Sequence, residues 1–231
     1  MDILSNQYIL LALTFAIFYI TRRLQVRTGW VLLNPILITI LLIIVYLKVT
    51  GISVETYQAT GHYIDFWLKP AIVALGVPLY QQLHSIKQLW LPILLSQLVG
   101  CLVGIVTVVL TAQWLGAPQV IIVSLASKSV TTPIAMEVTE SLNGIPSLTA
   151  AIVIITGIIG AIFGFKTLEL GHVSSPIARS ISMGTASHAV GASAAMGWSD
   201  KHGAYASLGI TLNGIFTAIF TPTLLHLLGI I

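Results

Sequence analysis

Long apolar stretches divided by short polar segments are the feature that most limits how this chain can fold. Six windows stand out, at about 7–21, 30–48, 66–83, 90–112, 146–166 and 204–228. A hydrocarbon core of about 30 Å is crossed by roughly 20 helical residues, so each window predicts a transmembrane helix. The sequence therefore predicts an all-α integral membrane protein that forms a single membrane domain over residues 1–231.

Charge is scarce enough to exclude the soluble classes of protein. Charged residues make up 7% of the chain, with a net charge of +3, whereas a soluble domain carries roughly 25%. This balance excludes a soluble enzyme and a basic groove for nucleic acid. The sequence contains no catalytic triad, phosphate-binding loop or histidine spacing typical of a metal site. It therefore predicts no enzyme, no metal or other cofactor and no nucleic-acid partner.

Two apolar segments, 118–141 and 177–198, are interrupted by polar residues. Each has two arms of about ten residues around a polar centre. Ten helical residues span about 15 Å, which is half a membrane. Each segment is therefore expected either to re-enter the membrane from one side or to cross it as a broken helix.

The distribution of basic residues favours re-entrant segments. Arg22, Arg23 and Arg27 follow the first window and are expected at the cytoplasmic face, which places the N-terminus outside. If both segments re-enter, seven Lys and Arg residues lie inside and two outside, against five and four if both cross. The predicted architecture is about six full spans plus two re-entrant or broken segments.

The chain also contains an internal repeat. The stretch GIIGAIF at 157–163 matches GIFTAIF at 214–220, and the same offset of 57 residues brings the polar centre near Lys128 close to the one near Thr185. A broken segment followed by an apolar span thus occurs twice, although chance similarity among spans rich in Gly, Ala and Ile is the alternative. Paired interruptions of this kind indicate the binding site of a transporter.

The first polar centre predicts an anion site around Lys128. A lysine at bilayer depth costs about 2.5–3.5 kcal/mol, so its ammonium is expected to face a protein or water-filled interior. Thr132 before Pro133 predicts an N-cap and the first residue of a half-helix, whose positive end would point at the same place. Ser129, Thr131 and Thr132 would bind the hydroxyl or carbonyl group of the substrate. The alternative is a lysine that reaches the surface and a Thr-Pro pair that only ends a helix.

The second polar centre, GTASHAVG at 184–191, supplies Thr185, Ser187 and His188 as candidate substrate-binding residues. His188 is also a candidate proton carrier, and a neutral histidine bonded to a backbone carbonyl is the equally weighted alternative. Glu137 is a second candidate for the proton or a partner for Lys128, unless it is an interfacial, solvated side chain.

Two asparagines complete the candidate set. Asn34 interrupts the second apolar window and Asn213 lies within the last. An asparagine at such depth can bind a substrate or ion, or it can form hydrogen bonds between helices.

At these residues the sequence resembles a known family, the LrgB/CidB family of bacterial inner-membrane proteins. The resemblance is carried by KSVTTPIAMEV at 128–138, GIPSLTAAIVIITGIIGAIFG at 144–164 and MGTASHAVGASAA at 183–195, with support from 32–40 and 68–83. It extends over about residues 8–228 and implies localisation in the bacterial cytoplasmic membrane.

The resemblance implies two kinds of function. The family is described as holin- or antiholin-like, modulating murein hydrolase export and autolysis beside a smaller LrgA/CidA-like membrane partner. A related plastid protein exchanges glycolate and glycerate, and some similar bacterial pairs take up pyruvate. Our main expectation is secondary transport of small monocarboxylates with such a partner.

The alternative is a holin/antiholin-like modulator that acts by assembly, without specific transport. Glycine pairs on the apolar spans could supply the faces of a homo-oligomer. These pairs are Gly100 with Gly104, Gly157 with Gly160, and Gly160 with Gly164.

Overall fold

The computed structural model describes residues 5–30, 33, 35–67, 70, 80 and 83–231. These residues form α-helices, with no β-strand among them, which confirms the predicted all-α membrane fold. The chain divides into two compact units, Met1–Val73 and Ala74–Ile231.

The first unit contains α1 (Gln7–Thr28), α2 (Pro35–Thr50) and α3 (Val54–Asp65). Helix α1 begins after Asn6, whose side chain accepts a hydrogen bond from the Tyr8 backbone N–H, and it ends at Gly29 with φ of 68°, as expected for a glycine at a helix C-terminus. The hydroxyls of Thr14 and Tyr57 lie 3.0 Å apart and join α1 to α3.

The second unit contains α4 (Leu83–Trp114), α5 (Gln119–Ala126), α6 (Thr132–Ser141), α7 (Pro146–Leu170), α8 (Pro176–Met196) and α9 (Asp200–Leu227). Helix α8 packs on both α7 and α9. The α8–α9 contact is close enough that a Cβ on Gly184 would lie 1.9 Å from the Ala206 carbonyl oxygen. Helices α4, α5 and α9 share a core around Val109, Ile122 and Leu225.

Four of the predicted windows correspond to helices that are long and apolar enough to span a membrane. These segments are Gln7–Thr28, Trp90–Trp114, Pro146–Leu170 and His202–Leu227. Helix α2, within the second window, is apolar but has only 16 residues. The window at 66–83 falls largely outside the described residues.

The first interrupted segment consists of two short helices, α5 and α6, separated by residues 127–131. A cluster of buried hydroxyls holds the break against α7. Ser127 Oγ lies 3.1 Å from the Ala135 carbonyl oxygen and 3.2 Å from Thr139 Oγ1, and Oγ1 of Thr149 on α7 lies 2.8 Å from the Ser124 carbonyl oxygen and 3.0 Å from Thr139 Oγ1. These bonds satisfy polar groups that would otherwise be buried without partners.

The second interrupted segment is α8, whose helical conformation fails at two adjacent residues. Ser187 has φ −132° and ψ 15°, and His188 has φ 43° and ψ −139°. A positive φ in a non-glycine residue is strained and is retained only where the surroundings over-determine it. The offset of 57 residues aligns His188 with Thr131, at the end of the first break. Each interruption is followed by a long apolar helix, α7 or α9.

Glycines on α7 make room for the second interruption. A Cβ on Gly157 would lie 2.6 Å from His188 Cε1, and one on Gly160 would lie 1.6 Å from Ser187 Oγ. Gly164 faces Met183 in the same way, with its Cβ position 2.5 Å from the sulfur. The α7 glycines that the sequence offered as an oligomerisation face therefore pack against α8 of the same chain.

Candidate functional site

A cavity of about 350 Å³ is lined by the first interruption, by the part of α8 that precedes its break, and by helices α4 and α9. This volume is at the lower end of the roughly 300–1,000 Å³ typical of ligand sites. Four residues of the predicted site line it, namely Lys128, Ser129, Thr185 and Asn213. The structure therefore brings Lys128 and Ser129 of the first break together with Thr185, which lies two residues before the break in α8.

The Lys128 ammonium is half-buried and donates a hydrogen bond to Ser129 Oγ at 3.0 Å. Among the residues that the structure describes, this neutral hydroxyl is its one hydrogen-bonding or ionic partner. Glu137, which the sequence offered as a partner, is exposed on α6. Because a buried charge without a counter-ion is costly, the cavity favours an anion.

Asn213 connects the two interruptions to each other. Its side-chain nitrogen lies 3.3 Å from the Ser129 carbonyl oxygen and 2.9 Å from the Thr185 carbonyl oxygen. Since only the amide nitrogen can donate to two carbonyls, this contact also fixes the orientation of the amide. Its oxygen, Oδ1, is buried and has no hydrogen-bond partner among the residues that the structure describes. The Asn213 nitrogen thus forms hydrogen bonds to other segments of the chain, as in the alternative to substrate binding that the sequence predicts.

The opposite wall comes from α4, which the sequence analysis did not associate with the site. Ser96, Gln97 and Cys101 line the cavity, and Gln97 Oε1 lies 2.7 Å from Thr185 Oγ1. Cys101 Sγ lies 3.4 Å from Thr217 Oγ1. The sequence signal for this wall is the Gln97 amide inside the otherwise apolar window 90–112, because polar groups in membrane spans usually face the protein interior.

Three predicted residues of the first break do not line the cavity, namely Thr131, Thr132 and Pro133. Helix α6 begins at Thr132 with Thr131 as its cap, one residue earlier than the sequence predicts, so Pro133 is the second helical residue. Thr131 has the extended conformation of a cap, but its hydroxyl is buried and makes no capping bond. The positive charge at the cavity comes from Lys128.

Ser187 and His188 also lie away from the cavity, in the contact between α8 and α7. His188 is buried, and its Nε2 lies 2.8 Å from the Val153 carbonyl oxygen. This is the arrangement that the sequence analysis gave as the alternative to a proton carrier. Asn34 lies outside the described residues.

A metal-binding cluster is not found in the described part of the chain, where His, Cys, Asp and Glu side chains do not gather in groups of three or more. The cavity wall instead combines one ammonium with hydroxyl and amide groups. Such a wall suits a small singly charged anion with further polar atoms.

Comparison with known proteins gives the family. The model of the LrgB-like family matches residues 14–227. The holin-like protein CidB of Staphylococcus epidermidis is 34% identical over 226 residues, which cover 96% of this chain and 99% of that protein. The antiholin-like protein LrgB of Bacillus mycoides is 33% identical over 201 residues, 87% of each chain. No solved structure matches. These matches confirm the resemblance seen in the sequence, and the chain belongs to the LrgB-like family.

Proposed function

We propose that this chain is a non-enzymatic, holin- or antiholin-like membrane protein that modulates murein hydrolase export and autolysis. The observation that supports this function is the similarity to proteins named holin-like and antiholin-like over nearly the whole chain. The proposed location is the bacterial cytoplasmic membrane, with the N-terminus outside and a small LrgA/CidA-like protein as partner.

An autolysis assay tests this function. The chain is expressed in a bacterial strain that lacks its own LrgB-like protein, with and without the partner, and lysis in mild detergent and murein hydrolase activity in the culture fluid are measured. We expect both to change relative to an empty vector. Unchanged lysis and unchanged hydrolase activity in the presence of the partner count against the proposal.

The cavity favours a second candidate function, secondary transport of small monocarboxylates of the glycolate, glycerate or pyruvate type. The supporting observation is an ammonium paired only with a neutral hydroxyl among the described residues, in a cavity between two interrupted segments. Interruptions that meet at a polar site are typical of secondary transporters. A carboxylate would pair with Lys128, and the surrounding hydroxyl and amide groups would bind its other oxygens.

Uptake of labelled lactate, glycolate and pyruvate into proteoliposomes tests transport. Lys128→Met removes the charge while keeping much of the side-chain volume, so uptake is expected to fall at least about tenfold. Lys166→Met, which removes an exposed lysine on α7, is the matched control and should leave uptake unchanged. Equal uptake by protein-free vesicles and wild-type vesicles contradicts this candidate function.

The two candidates are distinguished by one variant in the autolysis assay. If the effect on lysis depends on acid flux through the cavity, Lys128→Met loses that effect although the protein is inserted normally. If the chain acts by assembly alone, Lys128→Met alters lysis as strongly as the wild type does.

A further inference from the structure

We propose that Lys128 itself carries the proton that accompanies each transported anion. This inference rests on the second candidate function, and it assigns the coupled proton to the group that binds the carboxylate. The residues that the sequence itself offers for that role are His188 and Glu137.

The charge balance of the cavity supports this assignment. The Lys128 ammonium lies in the wall of the cavity and donates to Ser129 Oγ at 3.0 Å. Within the described residues no carboxylate lies close enough to form an ion pair with it. A charged, empty cavity therefore contains an uncompensated positive charge, which is costly in a low-dielectric surrounding.

The other titratable groups around Lys128 also favour Nζ as the proton carrier. Of the described residues that line the cavity, α4 contributes the Cys101 thiol, while α8 and α9 contribute only uncharged groups that do not titrate. The Cys101 thiol is within hydrogen-bonding distance of Thr217. Glu137 on α6 is exposed, and His188 faces the Val153 carbonyl on α7. Lys128 is thus the one basic group in the described cavity wall.

The cavity then has two forms that carry no net charge. The empty form holds a neutral amine, and the loaded form holds an ammonium paired with a carboxylate. One proton binds to Nζ when the anion enters, and the same proton leaves Nζ when the anion is released on the other side. Net transport then requires deprotonation of the empty form, whereas one-for-one exchange of anions needs only the loaded form.

The proton stoichiometry of the wild-type protein tests this step directly. Proteoliposomes containing a pH dye take up labelled lactate while potassium and valinomycin clamp the membrane potential. We expect one proton to enter with each lactate and the rate to be independent of the potential. Uptake that carries negative charge without a proton overturns the inference and leaves the transport function standing. Absence of both uptake and exchange contradicts the transport function as well.

A charge-preserving substitution provides the second test. Lys128→Arg keeps the positive charge, but a guanidinium is not deprotonated in proteins. Exchange of internal for external lactate is expected to persist, while net uptake falls at least about tenfold. Lys166→Arg on α7 should change neither rate, and Glu137→Gln should retain one proton per lactate. Wild-type net uptake in Lys128→Arg, or loss of the proton in Glu137→Gln, overturns the inference.

Discussion

Asn213 binds the carbonyl groups that the two helix interruptions expose. Helix α8 breaks at Ser187 and His188, and the Thr185 carbonyl accepts from the Asn213 side chain. The Ser129 carbonyl in the first break accepts from the same nitrogen. Because unpaired carbonyls in a buried site are costly, one amide on α9 stabilises both breaks at once.

Replacing Asn213 with leucine should therefore loosen both interruptions. The substitution removes both hydrogen bonds, and we expect the free energy of unfolding to fall by about 1–3 kcal/mol together with weaker lactate binding. Ser207→Ala is the control on the same helix, since within the described part of the chain the Ser207 hydroxyl bonds only the Gly203 carbonyl of its own helix. Thermal unfolding in detergent measures the difference. Equal stability of the two variants would contradict the role of Asn213.

Cys101 provides a native probe of the charge in the cavity. It is the only cysteine in the sequence and lines the cavity together with Lys128. An anionic methanethiosulfonate reagent, with which Lys128 can pair by taking up a proton, should therefore modify it faster than a cationic one of similar size, by roughly tenfold at low salt. Mass spectrometry of the labelled protein measures both rates. Lys128→Met should abolish the preference, and a faster reaction with the cationic reagent in the wild type would show that the positive charge does not act there.

At the scale of helices, the close contact between α7 and α8 depends on glycines in α7, which have no side chain. Ser187 Oγ lies where a Cβ on Gly160 would be, and His188 lies against Gly157. Small residues allow such close approach between membrane helices. In this chain they accommodate a strained interruption, and a homo-oligomer would need other surfaces than these glycines.

The substitution Gly160→Ala is expected to force α7 and α8 apart. Overpacking of this kind costs about 1–3 kcal/mol, so the midpoint of thermal unfolding should fall. Gly104→Ala is the matched control, because a Cβ at Gly104 meets no atom within 4 Å. Adding Ser187→Gly to Gly160→Ala should recover part of the loss. A change in oligomeric state with unaltered unfolding would instead support an oligomerisation face.

At the scale of the whole molecule, the interrupted segments either re-enter the membrane or cross it. This choice determines which helix ends lie on the same side of the membrane. If the N-terminus is outside, as we propose, two re-entrant segments place Trp114 at the end of α4 outside and Leu170 at the end of α7 inside. If residues 118–141 cross, Leu170 lies outside as well. Both side chains are exposed, at 85% and 73%, so either position is open to a labelling reagent.

Labelling of intact cells distinguishes the two arrangements. Trp114→Cys and Leu170→Cys are introduced separately after Cys101→Ser has removed the native thiol. From the charge distribution we expect a membrane-impermeant maleimide to label position 114 but not 170 until the membrane is permeabilised. Labelling of both positions in intact cells would contradict the re-entrant arrangement of the first segment.

The sequence determined the class of fold and the approximate place of each interruption. Apolar windows and rare charges leave few alternatives to membrane helices, because lipid forces every backbone group to be satisfied internally. A lysine in the middle of an apolar segment likewise indicated Lys128, since such a charge is too costly to face lipid.

Only the tertiary structure decided which polar residues meet. Periodicity does not reveal that Asn213 binds both interruptions, that Gln97 on α4 reaches Thr185, or that His188 turns away toward Val153. These contacts join residues 28 to 88 positions apart, and they depend on how helices pack side by side. The sequence specifies the helices and their breaks through local chemistry, whereas the cavity exists only where packed helices leave space between them.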